Sequence, residues 1–398
     1  MTAAKPLGGI LRPSNNDDDA TIVDADGGAH SVFGLGNDIV AAVVRRIALT
    51  GNSTDTHRHD SDDDAPDQLL HRSLSNLSAM AWCGRAIATA SCDEALQTAI
   101  LGCRTDDRYR VLVLDRARHG GSFAGRSAGG DPRPRTDMGP KLPGFVHLDS
   151  DAVDPATAIA AAIDDATAAI LLPVVLPAGD RLLIRDDWLI AAESAARQHS
   201  LALIIDHSLL PLGCDRRWID TPPVAPDMML LSAGLFAGIP GGVLLTAETL
   251  SPSNLPPVRS LQSAVAAETL RAMADQDVLT DTATDDGPVG NAVGDAVGDA
   301  GDDPDGDSGD FARSVAPQVA KTLAEHDLLR DIAVTRGCIA LTLNLAADEF
   351  VDRCRRHHLV LTAIDDDVVL LRLPLVGTEG HDRLVSRLGE LANDFAAV

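Results

Sequence analysis

The sequence predicts an α/β fold, with a large α/β/α domain built on a mostly parallel sheet and a smaller α+β domain. Its length of 398 residues is sufficient for two hydrophobic cores. From Ser91 onward, short apolar runs alternate with segments of helical periodicity. This alternation is typical of parallel strands whose connecting helices cover both faces of a sheet.

The periodicity also predicts individual elements. Buried strands are expected at 111–114, 168–174, 201–205, 228–231 and 243–246. Helices are expected at 38–50, 154–163, 186–199, 260–274 and 315–329. From about residue 311 the pattern returns to helix, strand, helix, strand and helix, and the last helix carries leucines at helical spacing.

These patterns divide the chain into four predicted parts. Residues 1–49 form the N-terminal segment of the small domain, and residues 50–275 form the large domain. Residues 276–310 are rich in Asp and Gly and contain a short internal repeat, which predicts a disordered acidic insertion. Residues 311–398 form the C-terminal small domain.

The charge balance is strongly acidic and unusual in its composition. The formal net charge is −26, from 51 Asp and 8 Glu against 30 Arg and 3 Lys. Such a composition resembles that of cytosolic proteins from salt-loving microbes, in which salt screens the repulsion between like charges. The same charge argues against nucleic acid as a partner, because a phosphate backbone requires a basic surface.

The sequence argues against a metal centre, against disulfide bonds and against a membrane-spanning or secreted protein. The six cysteines show no CxxC pair and no zinc-type spacing, so reduced thiols and no metal centre are expected. His57 and His59 lie in an acidic loop that supplies no clear third ligand. The apolar run 168–178 is too short to span a bilayer, and the N-terminus lacks a signal-peptide pattern. A soluble cytoplasmic protein with no membrane contact is therefore expected.

One segment carries a specific resemblance. Residues 226–246 read PDMMLLSAGLFAGIPGGVLLT, which resembles the PD-(apolar)-SK-(A/G)-L segment of class III aminotransferases. These fold-type-I enzymes depend on pyridoxal phosphate (PLP), and the resemblance implies that the lysine which binds PLP as a Schiff base is replaced by Ala233. A methyl group can neither form an imine nor carry a proton. Of the remaining lysines, Lys5, Lys141 and Lys321, only Lys141 lies in a loop that could approach the site.

Two further segments resemble the family's cofactor-binding turns. SCDEA, beginning at Ser91, falls where the family has S-G-(A/T/S)-E-A, a turn that holds the cofactor phosphate at a helix N-terminus. Cys92 replaces the glycine, and Asp93 brings a negative charge, so these residues also suit an ordinary helix N-cap. RHGG, beginning at Arg118, falls where the family has (F/Y)-H-G-R, so His119 matches while the stacking aromatic is replaced by Arg118.

The resemblance assigns two more positions. Asp206 matches the aspartate that pairs with the pyridine nitrogen of PLP, and it falls at the end of a predicted parallel strand, where ligands bind in open α/β sheets. Leu209 replaces the glutamine that contacts the phenolic oxygen. Arg372 matches the arginine that binds the substrate carboxylate.

Two functions remain open on this sequence. The first is a catalytically inactive relative that acts as a non-catalytic or regulatory partner, in a homodimer or in a heterodimer with an active paralogue, because the family builds each active site from two subunits. The second is a transaminase acting on a small amino or keto acid with PLP or its amine form, without a covalent Schiff base. In that case His207 or His119 would have to replace the lysine as the base.

Overall fold

A computed structural model gives the architecture of the protein. It describes residues 11–13, 21–25, 38–50, 66–76, 80, 82–130, 139–179, 181–218, 221–232, 234–236, 238–248, 260–275, 311–374 and 380–396. The predicted insertion at 276–310 and the loop that carries His57 and His59 lie outside these residues.

The described strands and helices alternate along most of the chain. The strands are β1 Leu11–Pro13, β2 Thr21–Asp24, β3 Cys83–Thr89, β4 Arg110–Leu114, β5 Phe145–Leu148, β6 Thr167–Pro173, β7 Val175–Ala178, β8 Arg181–Leu183, β9 Ala202–Asp206, β10 Met228–Leu231, β11 Gly242–Ala247, β12 Leu329–Thr335, β13 Cys338–Leu343, β14 Leu359–Val360, β15 Thr362–Ala363 and β16 Val368–Arg372. The helices are α1 Asp38–Thr50, α2 Pro66–Ser75, α3 Cys92–Cys103, α4 Phe123–Ala128, α5 Pro155–Ala162, α6 Asp186–His199, α7 Ser260–Asp275, α8 Phe311–Ala324, α9 Ala347–Arg356 and α10 His381–Ala396.

A seven-stranded sheet forms the centre of the molecule. Its order is β3-β11-β10-β9-β6-β4-β5, and the pairs β10–β9, β9–β6, β6–β4 and β4–β5 are parallel. β11 runs antiparallel to both of its neighbours, β10 and β3. The predicted mostly parallel sheet is confirmed.

Helices cover both faces of this sheet because its strands are apolar on both sides. In β4, Leu112 and Leu114 point into a core shared with α1, α2, α5, α6 and α7. Val111 and Val113 point to the opposite face, which packs against α3 and the end of α4. This period-two alternation gives the α/β/α layering that the sequence predicts.

The C-terminal part builds smaller sheets. The strands β12-β13-β16-β15 form an antiparallel sheet, and β14 pairs in parallel with β2 near the N-terminus. Helices α8, α9 and α10 cover a separate core in this part. Helix α1, although it lies within residues 1–49, packs on α7 in the core of the large sheet. The four-part division of the chain stays a prediction.

The C-terminal end of one helix differs from the end that the apolar periodicity predicts. The helix expected at 315–329 is α8, which ends at Ala324, and Asp327 adopts a left-handed conformation with φ of 54°. Leu329 then pairs with Leu343 in the antiparallel sheet. Strand pairing therefore overrides the apolar spacing of these last residues. Within the described part of the chain, no helix combines the length and the apolar character needed to cross a membrane.

Candidate functional site

The candidate site lies where several strands end at one edge of the central sheet. Asp206 is the last residue of β9, and it pairs in register with Pro173, the last residue of β6, and with Leu230 of β10. The turn between β3 and α3 reaches the same edge, because Thr89 pairs with Gly242 at the start of β11. The carboxyl edge of a parallel sheet is the usual ligand-binding position in such folds.

A buried pair of polar side chains occupies the centre of this edge. The Nδ1 atom of His119 lies 2.7 Å from the Oδ2 atom of Asp206, and the two side chains are 0% and 2% exposed. The other carboxylate oxygen, Oδ1, accepts a hydrogen bond of 3.0 Å from the backbone N–H of Ser208. Both oxygens of Asp206 therefore have donors from within the protein.

These donors determine the ionisation of Asp206. Burial by itself raises the pKa of this carboxyl, but the hydrogen bond and charge of His119 and the hydrogen bonds of Ser208 outweigh it, so that the pKa lies below its ordinary value. Asp206 is accordingly a carboxylate at neutral pH, and the His119 Nδ1–H donates to it. The Nε2 atom of His119 finds no hydrogen-bond partner among the described residues.

The turn that begins at Ser91 forms a complete helix cap. The Ser91 hydroxyl accepts a hydrogen bond from the backbone N–H of Glu94 at 3.1 Å. The Glu94 carboxylate in return accepts from the backbone N–H of Ala90 at 2.6 Å. Ser91 is therefore the N-cap of α3, and Glu94 satisfies the N–H of the residue before the cap, which agrees with the N-cap role that the sequence allows for these residues.

Asp93 turns its side chain toward the loop that follows β4. Its Oδ1 atom accepts a hydrogen bond of 3.3 Å from the backbone N–H of Ser122. A Cβ atom at Gly120 would overlap this carboxylate, and Gly120 has a φ of 102°. The close approach and the positive φ both require glycine at position 120.

Cys92 connects the helix cap with the buried pair. The Ser208 hydroxyl hydrogen-bonds its sulfur, and Asp206 is close enough for its charge to act on the thiol. Burial raises the pKa of Cys92 well above its ordinary value, and the charge of Asp206 raises it further. The side chain is a neutral thiol rather than a nucleophilic thiolate.

Three further residues were considered for the predicted site, namely Ala233, Arg118 and Lys141. Ala233 lies outside the described residues, but its neighbour Ser232 follows β10 and donates a hydrogen bond of 2.9 Å to the carbonyl of Gly241. Arg118 is half-buried. Lys141 donates from Nζ to the carbonyl of Gly129 at 3.1 Å, beyond the end of α4.

Arg372 is buried in the C-terminal sheet rather than exposed on it. Its exposed fraction is 6%, and its backbone N–H donates to the carbonyl of Ala25 at 2.7 Å. Its guanidinium donates to the Thr362 hydroxyl at 3.5 Å. A substrate carboxylate would have to reach a guanidinium that the sheet largely encloses.

His207 also lies within the protein. Its ring is fully buried and meets Trp218 edge-on, with 6.2 Å between the ring centroids. Neither ring nitrogen has a hydrogen-bond partner in the described part of the chain. Burial lowers the pKa of His207, although Asp215 and Asp206 act in the opposite direction. The ring has no open path to a reacting group.

Sequence reasoning missed the contribution of two serines. Ser208 supports both Asp206 and Cys92, and Ser122 supports Asp93 and caps α4 through Gly125. A signal for the backbone contact of Ser208 existed, since an aspartate side chain commonly accepts a hydrogen bond from the backbone N–H two residues on. The contact of Ser122 with Asp93 has no local signal.

PLP, the cofactor that the resemblance implies, does not fit the residues of this site. A carboxylate that binds a ring nitrogen must face a cavity, whereas the Asp206 side chain is enclosed, with 2% of its surface exposed. A cofactor phosphate at the α3 N-terminus would meet the Asp93 carboxylate. The resemblance further assigns the Schiff-base position to Ala233, whose side chain is a methyl group.

The chain is similar in sequence to acetylornithine aminotransferases. It is 29% identical to that of Agrobacterium fabrum over 185 residues, covering 44% of this chain and 46% of the relative. It is 31% identical to that of Mesorhizobium japonicum over 169 residues (40% and 42%), and 27% identical to that of Mycobacterium bovis over 252 residues (59% and 61%). The matched region thus spans about half the length of these curated relatives. No protein-family model matches the chain.

Solved aminotransferase structures share the fold over the whole chain. A Bacillus anthracis aminotransferase has a TM-score of 0.72 at 17% identity, covering 99% of this chain and 93% of that one. An amine transaminase from an uncultivated Pseudomonas species, in a PLP-bound internal aldimine form, has a TM-score of 0.72 at 20% identity (100% and 97%). The ornithine aminotransferase from Toxoplasma gondii has a TM-score of 0.70 at 17% identity (100% and 92%). The predicted fold-type-I architecture is confirmed.

Proposed function

This chain is homologous to class III, PLP-dependent aminotransferases, and we propose that it is a catalytically inactive relative that acts as a non-catalytic or regulatory partner. The observation that carries the proposal is the methyl side chain of Ala233, the residue that the resemblance assigns to the Schiff-base position, combined with the enclosure of Asp206 at the sheet edge. Transamination requires a base that accepts and returns a proton beside the cofactor. Ala233 cannot do so.

The histidines do not supply a substitute base. His119 is enclosed and holds Asp206 through Nδ1. His207 is buried against Trp218, and its lowered pKa reflects a ring removed from solvent. A transaminase without a covalent Schiff base, the alternative function, would need one of these rings to reach the substrate.

The proposed partner is a second aminotransferase-like subunit, either another copy of this chain or an active paralogue. In such a pair this chain would contribute structure to the neighbouring site rather than chemistry of its own. The support is the persistence of the fold over the full chain together with the changes at cofactor positions. Function does not follow from fold alone, so the role rests on a direct test.

The first test is transamination by the purified full chain in high salt with added PLP. We expect no turnover with common amino donors and keto acids, while an acetylornithine aminotransferase serves as the positive control. The chain is then co-expressed with an active paralogue, and the kcat of the mixed assembly is compared with that of the paralogue alone. PLP-dependent turnover by the chain itself, abolished by Asp206→Ala, would contradict the proposal and support the non-covalent transaminase.

The second test asks whether the lysine is the only missing element. Ala233→Lys is treated with PLP and borohydride, and the labelled lysine is located by mass spectrometry. We expect little labelling, because Asp93, Leu209 and Arg118 each weaken cofactor binding by about 1–3 kcal/mol, which together lowers affinity by several powers of ten. Stoichiometric labelling of the introduced lysine, with restored transamination, would show that the rest of the site is functional.

A further inference from the structure

We propose that the chain has filled its own cofactor site: the side chains of Cys92 and Asp93, beside an enclosed Asp206, occupy the site that holds PLP in the relatives and exclude it. This inference rests on the proposed function and deepens it. It turns a site without a lysine into a closed structural unit, which is stable without a cofactor.

The ring-binding end of the site is marked by an enclosed Asp206. The Asp206 carboxylate needs a donor, since an unpaired buried charge is strongly destabilising. His119 Nδ1 provides this donor at 2.7 Å, and the Ser208 backbone N–H satisfies the other oxygen at 3.0 Å. With 2% of its side chain exposed, Asp206 offers almost no surface to an incoming ring.

The phosphate-binding end is closed by Asp93. A helix N-terminus favours a negative charge in its first turn, and Asp93 and Glu94 already supply it at α3. Asp93 also accepts from the backbone N–H of Ser122, so that the helix cap and the loop after β4 are held together. A phosphate dianion brought to this position would be repelled by a carboxylate that the loop keeps in place.

Cys92 lies between the two ends, and its side chain is partly buried. Its sulfur contacts the Ser208 hydroxyl near Asp206. The turn cannot move away from the site, because β11 packs tightly behind it: a Cβ atom at Gly242 would lie 2.9 Å from the Cα atom of Cys92 and 2.8 Å from the Ser91 carbonyl oxygen. The thiol therefore stays between the helix cap and the buried pair.

The test is a binding experiment that does not involve catalysis. The probe is a PLP analogue that lacks the aldehyde, so that only non-covalent binding is measured, by calorimetry and by the shift in Tm of the full chain in high salt. We expect no saturable binding and no Tm shift for the unmodified chain. The variant Cys92→Gly with Asp93→Ser reopens the site and should bind at least about tenfold more tightly, with a higher Tm in the presence of the probe.

Controls keep the outcomes distinct. Asp187→Ser makes the same change in the first turn of α6, away from the site, and should leave the probe unbound. If the double variant does not fold, Asp93→Ser alone is expected to give a smaller gain. Saturable binding by the unmodified chain, or no gain in folded variants, would overturn the inference. Turnover by the unmodified chain would instead refute the proposed function, because turnover is measured in a separate assay.

Discussion

At the scale of single residues, the buried Asp206 carboxylate has a structural role. It is the acceptor for His119 and for the backbone of Ser208, and each of these donors would be unsatisfied without it. Removing one member of a buried charged pair is costly because the remaining partner stays out of water. Asp206, which the resemblance assigns to the cofactor, is therefore also expected to be important for the stability of the fold.

We predict that Asp206→Ala lowers the free energy of unfolding by about 3–5 kcal/mol. The measurement is urea denaturation at constant high salt. The matched control is Asp352→Ala, because Asp352 pairs with Arg355 on an exposed part of α9 and its loss should change stability little. Equal effects of the two substitutions would show that the Asp206–His119 pair contributes no more than a surface ion pair.

His207 gives a prediction about pH. Burial lowers its pKa in the folded protein, so the folded state prefers the neutral ring. Its contribution to stability is therefore complete above the ordinary histidine pKa of about 6.5 and is lost as pH falls below that value.

As pH falls from about 7.5 to about 5.5, the unfolding free energy of the unmodified chain should decrease more steeply than that of His207→Gln. The two slopes should differ by at most about 1.4 kcal/mol per pH unit. Chemical denaturation at each pH measures this difference. His199→Gln, at the exposed end of α6, is the control and should follow the unmodified chain. Parallel curves for the His207 variant and the unmodified chain would contradict the assignment.

At the scale of elements, the N-terminus of α3 shows how a turn can keep its sequence and change its use. Ser91 and Glu94 match the family turn, yet in this structure Ser91 caps the helix by accepting from the Glu94 N–H, and the Glu94 carboxylate accepts from the N–H of Ala90. The N-cap follows from the serine and the glutamate three residues later. Its formation was readable from the sequence, whereas the direction of the Asp93 side chain was not.

Ser91→Ala should lower the unfolding free energy by about 0.5–2 kcal/mol, whereas Ser91→Gly should lower it by only a few tenths. Both variants lose the hydroxyl that accepts from the Glu94 N–H, but glycine leaves the helix start open to water, which can take the place of that acceptor. Hydrogen exchange of the first turn of α3 locates the effect. Unchanged protection there in the alanine variant would refute this account of the cap.

Most individual elements were predictable because their signals are local. Strand 228–231 and helices 38–50 and 186–199 have the predicted bounds. Strands β3 and β5 of the central sheet, the hairpin of β7 and β8 and the helix α2 were not predicted. The antiparallel direction of β11 is a property of pairing and has no signal within its own residues.

At the scale of the whole molecule, the charge of −26 is the dominant property. Like charges repel in the compact state, and salt screens this repulsion over a distance that shortens as ionic strength rises. We predict that Tm rises as KCl increases from about 0.1 M to about 1 M, where the Debye length falls from about 10 Å to about 3 Å. Differential scanning calorimetry measures the change in Tm, and sucrose at equal osmolality is the control. A Tm that does not change with KCl would contradict the prediction.

The sequence by itself determined the mostly parallel α/β sheet and the similarity to aminotransferases, and it predicts that Ala233 stands at the position of the Schiff-base lysine. These follow from local apolar periodicity and from motifs whose residues are contiguous. The tertiary structure decided that His119 bonds Asp206 across 87 positions, that Asp93 bonds Ser122 across 29, and that Arg372 is buried. Such contacts depend on the paths of loops and the directions of side chains, which are set only when distant segments pack together.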